Sequence, residues 1–125
     1  MAYDNSSASN TTWTSIDFRS SSGSNIDCLQ LGAWDQQWRV TNRVFRDPSA
    51  WYHIVVALDT TASTAGDRVK VYVNGVEETS FATTNNPAED ADLGINAAQQ
   101  HRIGAWNYSS GAYFNGYQAE VHFID

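Results

Sequence analysis

Between Ala105 and Asn115 the chain reads AWNYSSGAYFN, which gathers Trp106, Tyr108, Tyr113 and Phe114 with the amides of Asn107 and Asn115 in one stretch. A flat aromatic ring covers the apolar face of a pyranose while nearby amides pair with its hydroxyls, so this composition suits a shallow saccharide site. Trp106, Asn107, Tyr108 and Tyr113 are the expected contact residues. The run Trp34-Asp35-Gln36-Gln37-Trp38 repeats the combination, with Trp34 and Asp35 as a second expected pair. The competing use of such rings is to fill a core or a contact between subunits.

The carboxylates are less promising as catalysts. Glu77-Glu78 follows a turn signal, Glu89-Asp90-Ala91-Asp92 falls in a stretch without periodicity, and Glu120 stands alone on an outward phase. A retaining glycosidase needs two carboxyls about 5 Å apart, and no spacing here provides them on one strand face. The chain is therefore expected not to be an enzyme. Loop carboxylates are hard oxygen ligands adequate for calcium, and no cofactor other than calcium is expected. Asp90 and Asp92 are the first candidates for it, and Asp59 and Asp67, flanking another loop, can equally cap their own turns. The three histidines, His53, His101 and His122, lack zinc-like spacing. No Gly-x-Ser-x-Gly elbow and no glycine-rich phosphate loop is present.

Composition narrows the partners. Seven basic against 14 acidic residues give a net charge of -7 over 125 residues, which repels nucleic acid and anionic lipid alike. No apolar run approaches the roughly 20 residues that span a bilayer, and the first residues, MAYDNSSASN, carry neither the basic nor the apolar region of a secretory signal. Cys28 is the sole cysteine and reads as a small buried hydrophobe. Asn-x-Ser/Thr sequons at Asn5, Asn10 and Asn107 are expected by chance in a chain so rich in Ser, Thr and Asn.

The elements that must position these residues are strands. Tyr52, Ile54, Val56 and Leu58 are apolar at alternate positions, and Val69, Val71 and Val73 alternate against Arg68, Lys70 and Asn74. Asn74-Gly75 then predicts a tight hairpin into Val76 to Phe81. Further strands are expected at Trp13 to Phe18, at Ile26 to Ala33 with a bulge between Cys28 and Leu29, and at Gln37 to Phe45. In the last of these Trp38, Val40 and Val44 point inward and Arg39, Thr41 and Arg43 outward. The region from Ala82 to Gln100 reads as irregular, with a helical turn near Ala97. His101 to Ala105 and Tyr113 to Phe123 close the chain, with Tyr117, Ala119, Val121 and Phe123 facing in. Many short strands separated by turn signals imply an all-β, antiparallel two-sheet sandwich. It forms one domain over residues 13–125, after a polar, flexible lead-in over 1–12.

Several of these segments together resemble the concanavalin A-like lectin/glucanase jelly roll, and within it the laminin-G-like and pentraxin-like modules. They are WYHIV at 51–55, Asp59, VKVYVNG at 69–75, Ile103-Gly104 and FNGYQAEV at 114–121. The resemblance runs from Val44 to Asp125. It implies a non-catalytic lectin-like binding module whose partner is a glycan or polysaccharide, with calcium at a sheet rim. The glucanases of that superfamily carry a Glu-x-Asp-x-x-Glu strand that is absent here. RDPSAWYHIVV followed by DRVKVYVNG is also similar to a subgroup seen in bacteriophage and marine viral or metagenomic proteins. That implies an alternative role in virion structure or assembly, without a sugar, and a virion or extracellular location. The outer-sheet strand with which such domains begin has no counterpart, which implies a sheet edge covered by Met1 to Phe18 or by a neighbouring subunit of a homo-oligomer.

Overall fold

The computed structural model describes residues 2–3, 14–19, 25–33, 36–95, 98, 101–105 and 113–124. Its centre is the hairpin that the alternating valines require. Strand β5 (Ile54–Leu58) pairs antiparallel with β6 (Val69–Val73), Ile54 opposite Val73 and Leu58 opposite Val69. Asn74 and Gly75 take φ of 52° and 79°, the left-handed pair that a two-residue hairpin demands, and the chain returns as β7 (Val76–Glu77). A 3-10 turn over Ala65–Arg68 leads into β6.

The second sheet is larger. Strands β2 (Thr14–Phe18), β3 (Cys28–Ala33), β4 (Gln36–Val44) and β8 (Phe81–Thr84) form it, extended by the short β1 (Ala2–Tyr3) and β9 (His101–Arg102) in the order β8-β4-β3-β2-β1-β9. All the pairings are antiparallel. The two sheets face each other across Leu29, Leu31, Trp38, Val69, Val71 and Val73, each at most 2% exposed. Burying an aliphatic side chain of this size contributes about 1.5–3 kcal/mol, which makes this cluster the main source of stability. The fold is the expected antiparallel two-sheet sandwich, and the described residues contain no α-helix. Because Ala2 pairs with Ser15 and Arg102, the first residues of the expected lead-in belong to the sheet.

Strand β4 departs from its expected phase. Gly32 opposes Gln37 but Leu31 opposes Arg39, so Trp38 is an extra residue in the ladder, and this bulge turns both Trp38 and Arg39 toward the second sheet. Arg39, expected outside, is 3% exposed, and Thr41 is fully buried. Thr41 Oγ1 accepts from the Leu29 amide at 3.1 Å and donates to the Arg43 carbonyl at 2.8 Å, filling the second register shift between Cys28 and Gln30. That shift is the bulge expected beside Cys28, which is buried with a free thiol. Val44, expected inside, is exposed.

The chain crosses between sheets after β7, earlier than the expected strand from Val76 to Phe81. Glu78 is 9% exposed and turns inward, where its Oε2 accepts from Arg43 Nε at 2.6 Å, so that Phe81 can join β4 in the other sheet.

The expected closing strand from Tyr113 to Phe123 is the largest correction. Ala105 and Tyr113 form a single antiparallel bridge, the Phe114 amide donates to the Gly104 carbonyl at 2.9 Å, and pairing then ends. The apolar phase explains this. Phe114, though 41% exposed, lays its ring beside Phe18 from an even position, whereas Tyr117, Ala119, Val121 and Phe123 are odd, and the phase flips at Asn115-Gly116. A Cβ at Gly116 would come within 2.8 Å of the Phe114 ring, so that ring occupies the space a continuing strand would need. Glu120 then takes a φ of 53°, which breaks the extended run. Residues 114–124 are exposed throughout.

One half-buried carboxylate yields a pH prediction. Burial raises the pKa of Asp17 above its ordinary 3.8, against a weaker opposing effect of the hydrogen bond from Ser15 Oγ at 2.8 Å. A folded-state pKa above the unfolded one means that the native state binds the proton more tightly. This contribution is fully present below about pH 3.8 and is lost as pH rises through the folded pKa. Asp17→Asn, which keeps the acceptor and removes the charge, is expected to raise Tm at pH 7 and to leave it unchanged near pH 3. Thermal melts at the two pH values check this, and a lower Tm at pH 7 contradicts it.

Candidate functional site

Strand registers place the two expected saccharide clusters. Ala33 opposes both Thr14 and Gln36, so residues 34 and 35 connect β3 to β4 at the end of the large sheet where β2 begins. Arg102 lies in the row of Ser15, and Ala105 lies three residues further along, toward Phe18. The Phe114 ring, beside Tyr113, stands 6.1 Å from that of Phe18. With a rise of about 3.4 Å per residue the described flanks Ala33 and Gln36 are separated from Ala105 by roughly 14 Å along the strands. Trp34, Asp35, Trp106, Asn107 and Tyr108 lie outside the described residues.

At the Phe18 end four rings form a stack. Phe114 contacts Phe18, Phe18 meets Phe45 edge-on at 5.2 Å, and Phe45 meets Tyr52 at 5.0 Å. These inward rings tie β2, β4, the start of β5 and the base of the 105–113 connection into one support. Their neighbours in sequence point the other way: Tyr113 is 76% exposed and Trp51 69%. Trp51 is held by the loop before it. Asp47 Oδ1 accepts from the Ser49 hydroxyl at 2.6 Å and amide at 2.9 Å, and these bonds depress the Asp47 pKa, the hydroxyl more than the amide. The Ala50 amide closes the turn onto the Asp47 carbonyl at 3.3 Å. On the same side Asn74 Oδ1 accepts from the His53 amide at 2.9 Å, and Arg46 pairs with Asp27 at 2.8 Å. The result is an exposed aromatic surface with amide, hydroxyl and charged groups around it.

Trp51 was not among the expected contacts. Its signal was present in the alternation, because a strand with Tyr52, Ile54, Val56 and Leu58 inward puts Trp51 on the outward phase.

The opposite end carries the carboxylates considered for calcium. Asp59 Oδ1 accepts from the amide and hydroxyl of Thr61 at 3.0 and 2.7 Å, and Asp67 pairs with Lys70 at 3.0 Å, so both serve their own loop. Asp90 has a φ of 53° and donates its amide to the Thr60 carbonyl at 2.9 Å; Asp90 and Asp92 are both exposed. Among the described residues no three of His, Cys, Asp or Glu gather as a metal-ion set.

Two guanidinium groups hold the inward carbonyls of these loops instead. Arg68 donates to the Ala62 carbonyl at 2.8 Å, the Pro87 carbonyl at 3.1 Å and Glu89 Oε2 at 2.8 Å. Arg39 donates to the carbonyls of Trp38 at 2.8 Å and Val69 at 3.0 Å, to Asn86 Oδ1 at 2.9 Å and to the Asn85 carbonyl. It also lies over the Phe81 ring, 5.5 Å from the centroid. Burial lowers the pKa of Arg39. These loops are tied together by the protein's own cations.

No helix among the described residues is long and apolar enough to cross a membrane. A laminin G-type family model, described as the Concanavalin A-like lectin/glucanases superfamily, matches residues 2–125, well beyond the resemblance that began at Val44. No curated protein and no solved structure matches the chain significantly.

Proposed function

This chain belongs to the concanavalin A-like lectin/glucanase superfamily, and from that premise we propose that it is a non-catalytic binding module taking carbohydrate at the aromatic end of its sandwich. The observation that carries the reading is the pairing of exposed Tyr113 and Trp51 with a cluster of partly buried rings, Phe18, Phe45 and Tyr52, behind them. Trp106, Asn107 and Tyr108 fall in sequence between the bridged Ala105 and Tyr113. Their rings would stack on sugar faces, and the Asn side chain would pair with hydroxyls. Trp34 and Asp35 are a second proposed contact. Asp90 and Asp92 are retained only as ligands for calcium. Glu120 is on an exposed segment.

A glycan array probed with the wild-type chain, Trp106→Ala and Tyr113→Ala tests the proposal. Either substitution is expected to weaken binding about tenfold or more, equivalent to at least about 1.4 kcal/mol, with the fold unchanged. Absence of glycan binding by the wild type overturns the reading.

A second reading, assembly in a virion without a sugar ligand, is favoured by one observation, the run of exposed apolar residues from Tyr117 to Ile124.

A further inference from the structure

We propose that residues 117–124 are a donor strand that completes the three-stranded sheet of a second copy of this chain, pairing with the open edge of β5 in a reciprocal exchange. The donor has the pattern of a strand and the exposure of a loop. Tyr117 is 88% exposed, Val121 and Phe123 are 48% exposed, and Ile124 is 90% exposed. Scattered exposed hydrophobes are ordinary, but a contiguous run with period two is not. Glu120 sits at a φ of 53° in the middle of that run. A residue with a side chain reaches this region at a cost, and pairing as a strand would relieve it.

The acceptor is an unpaired edge. The Asn74 amide donates to the His53 carbonyl and the Asp59 amide to the Arg68 carbonyl, so the odd positions of β5 bond to β6. The backbone N–H and C=O groups of Ile54, Val56 and Leu58 therefore point away from β6, and among the described residues no strand meets them. Their side chains face the core yet are only partly buried, whereas Val69, Val71 and Val73 opposite them are at most 2% exposed. An added strand would cover that flank.

Direction selects a second copy as the occupant. Strand β5 starts after Tyr52, whose ring belongs to the same stack as Phe114, and runs away from it. A tail folded back from Phe114 onto its own β5 would run parallel to it. That pairing is the weaker one, and every pair in this molecule is antiparallel. A twofold-related copy can lay the tail antiparallel, and the exchange then closes both edges at once.

Sedimentation of the full chain across a wide concentration range tests this, with hydrogen exchange as a second readout. The chain is expected to sediment at twice its 13.8 kDa mass. Amides in 118–123, together with those of Ile54, Val56 and Leu58, are expected to be protected and to lose protection on dilution. The double substitution Val121→Asp with Phe123→Asp is expected to give a monomer with an unchanged β spectrum. So is Val56→Pro, whose lost N–H points away from β6, read alongside its β spectrum because Val56 also packs against the core. A monomeric full chain, or exchange protection that does not respond to dilution, overturns the proposal, as does a folded double variant that remains dimeric.

Discussion

Arg39→Met is expected to destabilise the protein by about 3–5 kcal/mol, because it strips a buried cation from the oxygens of Trp38, Val69, Asn85 and Asn86 without supplying other donors. Urea unfolding measures the loss directly, and in a domain of this size it corresponds to a fall in Tm of roughly 10–20 °C. The hydrophobic stem of Met replaces much of the packing against Phe81, so the loss reports on the hydrogen bonds. Arg39→Lys is expected to recover only part of it, since one ammonium group cannot span carbonyls on β4, β6 and the loop after β8. A loss below about 1 kcal/mol would place Arg39 among ordinary surface residues and remove its role in joining the sheets.

Gly32→Ala is the second large effect. Gly32 is buried where β3 meets the bulge of β4, and a Cβ there would overlap the carbonyl oxygen of Gln36 and stand 3.1 Å from Gln37 Cα. Both obstacles are backbone, so relief requires moving the hairpin that carries Trp34 and Asp35. The expected cost is about 3 kcal/mol, at the upper end for overpacking, again read by urea unfolding. A stability within about 0.5 kcal/mol of wild type would mean that the β3–β4 register differs from the one described. Glycan binding at the Tyr113 end should survive the substitution, because Gly32 lies near the end of the sheet away from Ala105 and Tyr113.

How much of this was legible in the sequence depended on whether one residue was added to a ladder. The β6–β7 hairpin was readable because Val69, Val71 and Val73 keep strict alternation up to Asn74-Gly75, and both turn residues have the positive φ that their types allow. Strand β4 was misread because alternation cannot reveal that Trp38 is an extra residue, and that single insertion reverses Arg39. The tail was misread for a related reason: its alternation is real but out of phase with Phe114, which is already packed on Phe18. For the site, residue types marked Tyr113 and its neighbours. That Ala33 and Gln36 lie at the other end of the sheet from Ala105 needed the pairing of Ala33 with Gln36 and of Ala2 with Arg102, which no local pattern carries.

The central claim is that the aromatic end, backed by its stack of rings, is where sugar is bound. Its most direct test follows the five indole N–H signals by NMR during titration with an oligosaccharide taken from the glycan array. Trp106 and Trp51 are expected to shift together along one binding curve, while Trp38, sealed in the core, stays fixed. Shifts confined to Trp34 would contradict binding at the aromatic end.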